Sequence, residues 1–289
     1  MKYIGYLFFR FIALLFSLMS FGFMYRLSDF TAFFLKNIVK YRRNVIHENL
    51  RNSFPEKDEK EIERLAKGAY RNLADITLEG IKCFSMSEKN IRERYVIVNP
   101  SVLNDLVREN RNSIVMAAHY TNWEWGTLGF PLFVEGCVIG FYKPLSNSYI
   151  DAYGRKSRGN TGLELISIGK TAWAFDHFKA TPTTYLLVSD QNPANNLVHW
   201  VTFLGQDTAC LYGGDKYARL YNYPVYFAVI ERVKRGFYTV TIEELALNPL
   251  DLPEEAITKI FMARLEKQII AKPEDWLWSH KRWKIKRVS

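Results

Sequence analysis

His119 and Glu124 are the residues whose types and spacing most invite chemistry. The run SIVMAA, from Ser113 to Ala118, has the apolar and β-branched composition of a strand. It leads directly into His119-Tyr120-Thr121-Asn122-Trp123-Glu124, an H-x4-E spacing at the carboxyl end of a strand, where α/β sheets place their sites. On one continuous helix the two side chains would lie about 140° apart and could not easily touch. The spacing therefore predicts His119 in a turn and Glu124 in the first turn of the helix beyond it. From there the carboxylate can accept a hydrogen bond from Nδ1–H, fixing the tautomer that leaves Nε2 free to take a proton. The pair then acts as a general base. No G-x-S-x-G elbow is present, so the base serves a substrate hydroxyl that attacks directly rather than an acyl-enzyme. By itself H-x4-E is a short pattern, and a histidine at a strand end also serves as a capping or packing residue.

The surrounding sequence must supply a sheet and helices to hold that turn. After Ser113, short apolar runs rich in β-branched and aromatic residues recur: SIVMAA, CVIGFY, TTYLLVS, YPVYFAVIE and FYTVTIEEL. Helical stretches lie between them at Trp123 to Phe133, Tyr149 to Arg158, Thr171 to Phe178 and Asp215 to Tyr221. The alternation predicts an α/β sandwich, with the last two strands joined as an antiparallel hairpin through Lys234-Arg235-Gly236. Upstream, Leu27, Phe30, Phe34 and Ile38 fall at helical spacing, as do Ile62, Leu65, Ala66, Ala69, Leu73 and Ile76. Asn52-Ser53-Phe54-Pro55 is the turn between them. A final helix starts near Asp251 to Glu255 and buries Ile257, Ile260, Phe261, Leu265 and Ile269.

From Tyr3 to Tyr25 the chain is apolar except for Arg10, long enough to cross a hydrocarbon core as one helix. Arg10 leaves two readings: a tilted span beginning near Phe11, or a shallow interfacial helix. A buried core helix is a third. Bulky Phe23, Met24 and Tyr25 argue against signal-peptide cleavage. Lys36, Lys40, Arg42 and Arg43 place the side that follows in the cytosol.

The chain has 289 residues and a net charge of +9, which suits nucleic acid, an anionic membrane or an acidic partner. There is no zinc-finger spacing, basic zipper or RNP-like strand, which counts against nucleic acid. Cys83, Cys137 and Cys210 are odd in number and widely spaced; they read as reduced structural thiols, with no zinc signature.

At these residues the chain resembles a known family. AAHYTNWEWG is similar to the H-F-G-N-W-E signature of the lipid A late acyltransferases, the lauroyl and myristoyl transferases of lipopolysaccharide synthesis. In the same order follow Tyr142-Lys143-Pro144 with Asn147 and Arg158-Gly159-Asn160-Thr161-Gly162, then Ser189-Asp190-Gln191 with Val201 to Gly205, then Pro273 to Lys284. Arg43-Asn44-Val45 through Asn49-Leu50 and Phe54-Pro55 extend the likeness upstream. Tyr120 and Thr121 replace the commoner Phe-Gly, and Asn192-Pro193-Ala194-Asn195 lacks a glycine often found there.

The resemblance implies a glycerolipid-acyltransferase-like fold: a mixed central sheet flanked by helices, preceded by an N-terminal membrane helix. It divides the chain into an anchor with interfacial helices, 1–40, and an acyltransferase domain, 41–289. The donor it implies is an acyl carrier protein thioester, or acyl-CoA, and the acceptor a hydroxyl of a lipid A precursor or related membrane glycolipid. No bound cofactor and no metal is expected, and the location is the cytosolic face of a bacterial inner membrane.

On this footing His119 and Glu124 are the catalytic residues, and Asn122, Lys143, Arg155, Arg158, Asp190 and Gln191 the substrate-binding ones. Lys143, Arg155, Lys156 and Arg158 suit an acceptor phosphate or phosphopantetheine, or else form a solvated helix face. Asp190 is expected to bond an arginine or orient the acceptor. Trp123 and Trp125 line an acyl groove or pack their helix. The other histidines, His47, His177, His199 and His280, read as structural. The tail from His280 to Arg287 suits anionic headgroups, an acidic carrier protein or plain solvent. Amino-acid lipids and phosphoinositide mannosides are alternative acceptors, and thioester hydrolysis an alternative reaction.

Overall fold

The computed structural model describes residues 1–193 and 198–287, so Ala194 and Asn195 lie outside the described residues. The apolar N-terminus forms two helices rather than one, α1 (Lys2–Leu18) and α2 (Phe21–Phe33). Part of the cause is local: extended backbone at Met19 and Ser20 ends α1, and the Ser20 hydroxyl accepts from the Phe23 amide to start α2. The other part is tertiary. Lys82 donates from Nζ to the carbonyls of Phe16, Ser17 and Met19 at 2.7, 3.1 and 2.8 Å, satisfying acceptors that a helix end leaves open. Of the readings the sequence leaves open, the span is not supported: no helix among the described residues is long and apolar enough to cross a membrane. The 17 residues of α1 rise only about 25 Å, short of the ~30 Å hydrocarbon core.

A π-helical turn over Phe34–Ile38 extends α2 and leads to α3 (Arg43–Ser53). The turn at Phe54–Pro55 falls where the sequence places it, and α4 (Glu59–Lys82) begins with Asp58 capping the Glu61 amide. Next come α5 (Glu88–Arg94), β1 (Tyr95–Ile97) and α6 (Ser101–Arg108). Strand and helix then alternate through β2 (Ser113–Ala117), α7 (Gly126–Phe133), β3 (Cys137–Tyr142), α8 (Ser148–Gly159), β4 (Leu163–Ser167), α9 (Thr171–His177) and β5 (Thr183–Val188). A separate hairpin of β6 (Val198–Phe203) and β7 (Gln206–Leu211) precedes α10 (Gly213–Tyr221), β8 (Val225–Lys234), β9 (Phe237–Ala246) and α11 (Ala256–Ala271).

The main sheet runs β1-β9-β8-β2-β5-β3-β4, with every pairing parallel except β8 with β9. The α/β class and the β8–β9 hairpin agree with the sequence; Gly236 turns that hairpin at φ +77°. The strands the sequence does not announce are β1 and β4, short and at the two sheet edges, and the small hairpin, whose residues are mostly half-buried. Alternate residues of β2 serve opposite layers: Ile114 and Met116 pack with α4, α9 and α11, while Val115 packs with Tyr95, Leu103 and Leu128. The faces assigned to α4 and α11 are buried at Ile62, Leu65, Ala66, Ala69 and Ile76 and at Ile257, Phe261, Leu265 and Ile269.

The helices α1 and α2 are held to α4 by polar contacts. Besides Lys82, Ser28 donates to Asp75 at 2.5 Å and Tyr25 to Glu79 at 2.6 Å. Replacing Lys82→Met strands three carbonyls at the end of α1 and is expected to cost about 1–3 kcal/mol. Hydrogen exchange read by mass spectrometry should quicken around residues 14–20 while the sheet stays protected; unchanged exchange there would remove the Lys82 cap from the account.

Candidate active site

Adjacent parallel strands bring the chemistry together. β2 and β5 pair with Ala117 opposite Val188, and the ladder continues as the Ser189 amide donates to the Ala117 carbonyl at 2.9 Å. Two residues past each strand end, His119 and Asp190 therefore emerge side by side. The Asp190 carboxylate takes the His119 Nδ1 hydrogen bond at 2.6 Å and the His119 backbone amide at 3.0 Å. Its second oxygen also accepts from the Trp276 indole at 2.9 Å. Burial by itself would push this carboxyl up, but the facing His119 and these donors hold it below the ordinary aspartate value. The His119 ring is edge-on to Trp123 with centroids 4.8 Å apart. With Nδ1–H spent on Asp190, Nε2 is the basic nitrogen, and it carries no hydrogen bond from the described residues.

The sequence places the Nδ1 bond on Glu124; the structure gives it to Asp190. Glu124 sits in the turn just before α7 rather than in the first turn of that helix, and it pairs with Arg158 Nη2 of α8 at 2.7 Å. Spacing along the chain shows which residues leave one strand end and not which neighbouring strand stands beside it, so Asp190 was legible as a site residue but not as the partner. Burial opposes the Arg158 charge, yet Glu124 keeps its pKa raised, and Arg158 Nε is buried without a partner among the described residues.

The C-terminal segment closes over the turn. Tyr120 bridges Trp276 in antiparallel fashion, the Thr121 amide donates to the Asp275 carbonyl at 2.7 Å, and the Leu277 amide donates to the His119 carbonyl at 3.1 Å. His280 comes near both His119 and Asp190; burial pushes its imidazole down to about 4, so it stays neutral at ordinary pH. Of the tail expected to meet headgroups or a carrier, Arg282 and Trp283 are buried, donating to the Ala209 carbonyl at 2.7 Å and the Thr208 hydroxyl at 2.8 Å. Lys281, Lys284, Lys286 and Arg287 remain outside.

Beneath the turn lies a carboxylate that the sequence does not mark. Glu79 of α4 is fully buried and accepts from Asn122 Nδ2 at 2.6 Å, the Tyr25 hydroxyl at 2.6 Å and the Tyr238 hydroxyl at 2.7 Å. Asn122 also accepts the Trp125 amide at 2.9 Å, so both ends of its amide are used internally and it faces away from solvent. Trp125 is buried and donates to the Glu79 carbonyl, which makes it a packing residue. Lys143 is exposed in the loop after β3, Arg155 is exposed and pairs with Asp151 of α8 at 3.4 Å, and Gln191 is half-buried beside Asp190. Among the described residues no group of three His, Cys, Asp or Glu side chains is placed to hold a metal ion, and the three cysteines are unbridged.

A model of the bacterial lipid A biosynthesis acyltransferase family matches residues 1–285. The chain belongs to that family. This lipid A acyltransferase family member is also similar to the lipid A biosynthesis lauroyltransferase of Escherichia coli strain K12, 23% identical over 254 residues that cover 86% of this chain and 81% of the relative. It is an acyltransferase, and its membership implies a lipid acceptor and an acyl donor. In this acyltransferase the glycine of the resembled H-F-G-N-W-E signature is Thr121, and its φ of +46° explains why glycine is common there. Thr121 is buried, β-branched and left-handed, and its hydroxyl has no partner among the described residues.

Two outcomes are expected. Thr121→Gly should raise the melting temperature by relieving about 1–2 kcal/mol of backbone strain; a lower melting temperature would mean the threonine is not strained. Burial raises the Glu79 carboxyl to about 6 against the pull of Tyr25 and Tyr238, from 4.5 in an unfolded chain. The folded protein thus holds a proton that the unfolded chain releases, so this contribution is full below about pH 4.5 and is lost as pH rises to about 6. Urea midpoints between pH 4 and 7 should show this fall in the wild type relative to Glu79→Gln, and parallel profiles would count against it.

Proposed function

We propose that the protein transfers a fatty acyl chain from an acyl carrier protein thioester to a hydroxyl of a lipid A precursor, with His119 as general base. The observation that carries this reading is the Nδ1 hydrogen bond from His119 to buried Asp190, which leaves Nε2 as the basic nitrogen at the carboxyl ends of β2 and β5. Nε2 takes the acceptor proton as the oxygen bonds to the thioester carbonyl carbon. The imidazolium so formed faces the Asp190 carboxylate. As the tetrahedral intermediate collapses, the carbon–sulfur bond breaks and the imidazolium returns the proton to the leaving thiolate. Glu124 acts by holding Arg158, whose guanidinium stands ready for negative charge, either on the tetrahedral oxygen or on a substrate phosphate.

The outer side of the N-terminal helices supports attachment to a membrane surface, read here as the cytosolic face of the bacterial inner membrane. Ile4, Leu7, Phe8, Phe11, Leu14, Leu15 and Leu18 of α1 form an exposed apolar stripe at helical spacing, and Phe23, Phe30, Phe33, Phe34 and Ile38 continue it. A helix of this kind lies in the interface rather than across it.

Turnover measured with acyl carrier protein thioesters and lipid A precursors, products read by mass spectrometry, tests the assignment. His119→Ala and Asp190→Asn should each lower kcat on the order of 10²–10⁴-fold while far-UV circular dichroism stays unchanged. Glu124→Gln and Arg158→Ala should each be impaired, and together no worse than the more severe of the two, because they act as one unit. Wild-type turnover in Asp190→Asn would sink the role given to Asp190. Release of free fatty acid with every acceptor unchanged would make the enzyme a thioester hydrolase.

A further inference from the structure

Between α1 and α8 runs an open groove of about 740 Å³, lined by Tyr6, Arg10, Phe84, Tyr149, Tyr153 and Lys156. Its walls are aromatic and cationic together. Tyr6 lies 5.9 Å from Tyr149 and 6.3 Å from Tyr153, and Phe84 stacks on Tyr153 at 5.4 Å and 17°. Arg10 is seated over the Tyr153 ring at 4.6 Å and donates to the Tyr6 hydroxyl at 3.0 Å. Neither Arg10 nor Lys156 makes an ion pair with a carboxylate among the described residues, unlike Arg155 and Arg158 on the same helix. An arginine fixed in place by aromatic faces, with a second cation opposite and no internal counterion, is built to receive an anion from outside.

Position says which anion. On α1, Tyr6 and Arg10 sit roughly a quarter-turn round from the exposed stripe of Ile4, Leu7, Phe11, Leu14 and Leu18, between it and the buried Ala13 and Phe16. With the stripe in the interface, the groove opens at the depth of lipid headgroups. Lys156 and Ser157 of the lining precede Arg158 on α8, and Phe84 follows Cys83, a buried thiol that feels the Glu124 charge.

We propose that this groove binds the phosphorylated sugar headgroup of the acceptor lipid, Arg10 and Lys156 taking the phosphate and the Tyr6, Tyr149 and Tyr153 rings the sugar. The inference rests on the acyl-transfer reading for the word acceptor, but the groove's ligand chemistry is independent of it. A phosphopantetheine arm carries a phosphate too, yet it would arrive from water with its carrier protein rather than from the bilayer side.

Binding and kinetics separate these cases. The full-length protein is titrated with a water-soluble phosphorylated disaccharide and with its dephosphorylated form. Relative to the wild type, Arg10→Ala/Lys156→Ala should bind the phosphorylated sugar about tenfold more weakly, Arg10→Lys should keep most of the affinity, and the dephosphorylated sugar should bind weakly to all three. In the transfer assay the double variant should raise KM for the phosphorylated acceptor by about the same factor and leave KM for the thioester donor alone. Equal affinity of wild type and double variant for the phosphorylated sugar overturns the site, as does a rise confined to the donor KM. If the phosphorylated sugar binds as described but no acceptor is acylated, the groove stands and the transfer reading falls.

Discussion

A fully buried aspartate is costly unless donors surround it, and at Asp190 the donors are His119 and Trp276. The His119 ring, the His119 backbone amide and the Trp276 indole all point at one carboxylate. That single constraint ties together the ends of two parallel strands and a segment from the far end of the chain. It fixes the histidine tautomer and keeps the anion in place below the ordinary aspartate range. The clamp of Asp275 to Leu277 on His119 to Thr121 then follows from the same geometry, since Trp276 can reach Asp190 only if its neighbours pair with the turn.

A second buried system lies under the first and joins it to the N-terminal helices. Tyr25 of α2 and Asn122 of the turn share the Glu79 carboxylate, while Asp75, one turn earlier on α4, accepts from Ser28 of α2 and from Arg235 of the β8–β9 hairpin. Arg235 also reaches Asp29 of α2. Separating these groups would leave buried carboxylates without donors, so the helices that carry the apolar stripe and the turn that carries His119 are coupled through them. The side of the molecule suited to a bilayer and the site suited to chemistry are thereby held in fixed relation.

The two acidic positions of the site differ in depth. Asp190 is sealed in and bonded to the histidine, whereas Glu124 is about a third exposed at its side chain and bonded to an arginine. The first arrangement suits an imidazole that takes up a proton; the second keeps an arginine charged near the same turn. Both are carboxylates a few residues beyond strand ends, and nothing in their type distinguishes them.

Sequence by itself determined the α/β class, the strands β2, β3, β5, β8 and β9, the helices between them and His119 at a strand end, because apolar periodicity and turn chemistry are local properties of the chain. It also placed Glu124, Arg158 and Asp190 among the site residues through the resemblance of their surrounding segments. Only the tertiary structure decided that Asp190 and not Glu124 bonds His119, since that depends on β2 lying beside β5 in a register that puts His119 and Asp190 level. It likewise decided that Asn122 faces Glu79, that Thr121 occupies a left-handed position, and that the apolar stretch from Tyr3 to Tyr25 breaks at Ser20. In the last case hydropathy reads one continuous run; the break needs Lys82, more than sixty residues away, to satisfy the carbonyls that end α1.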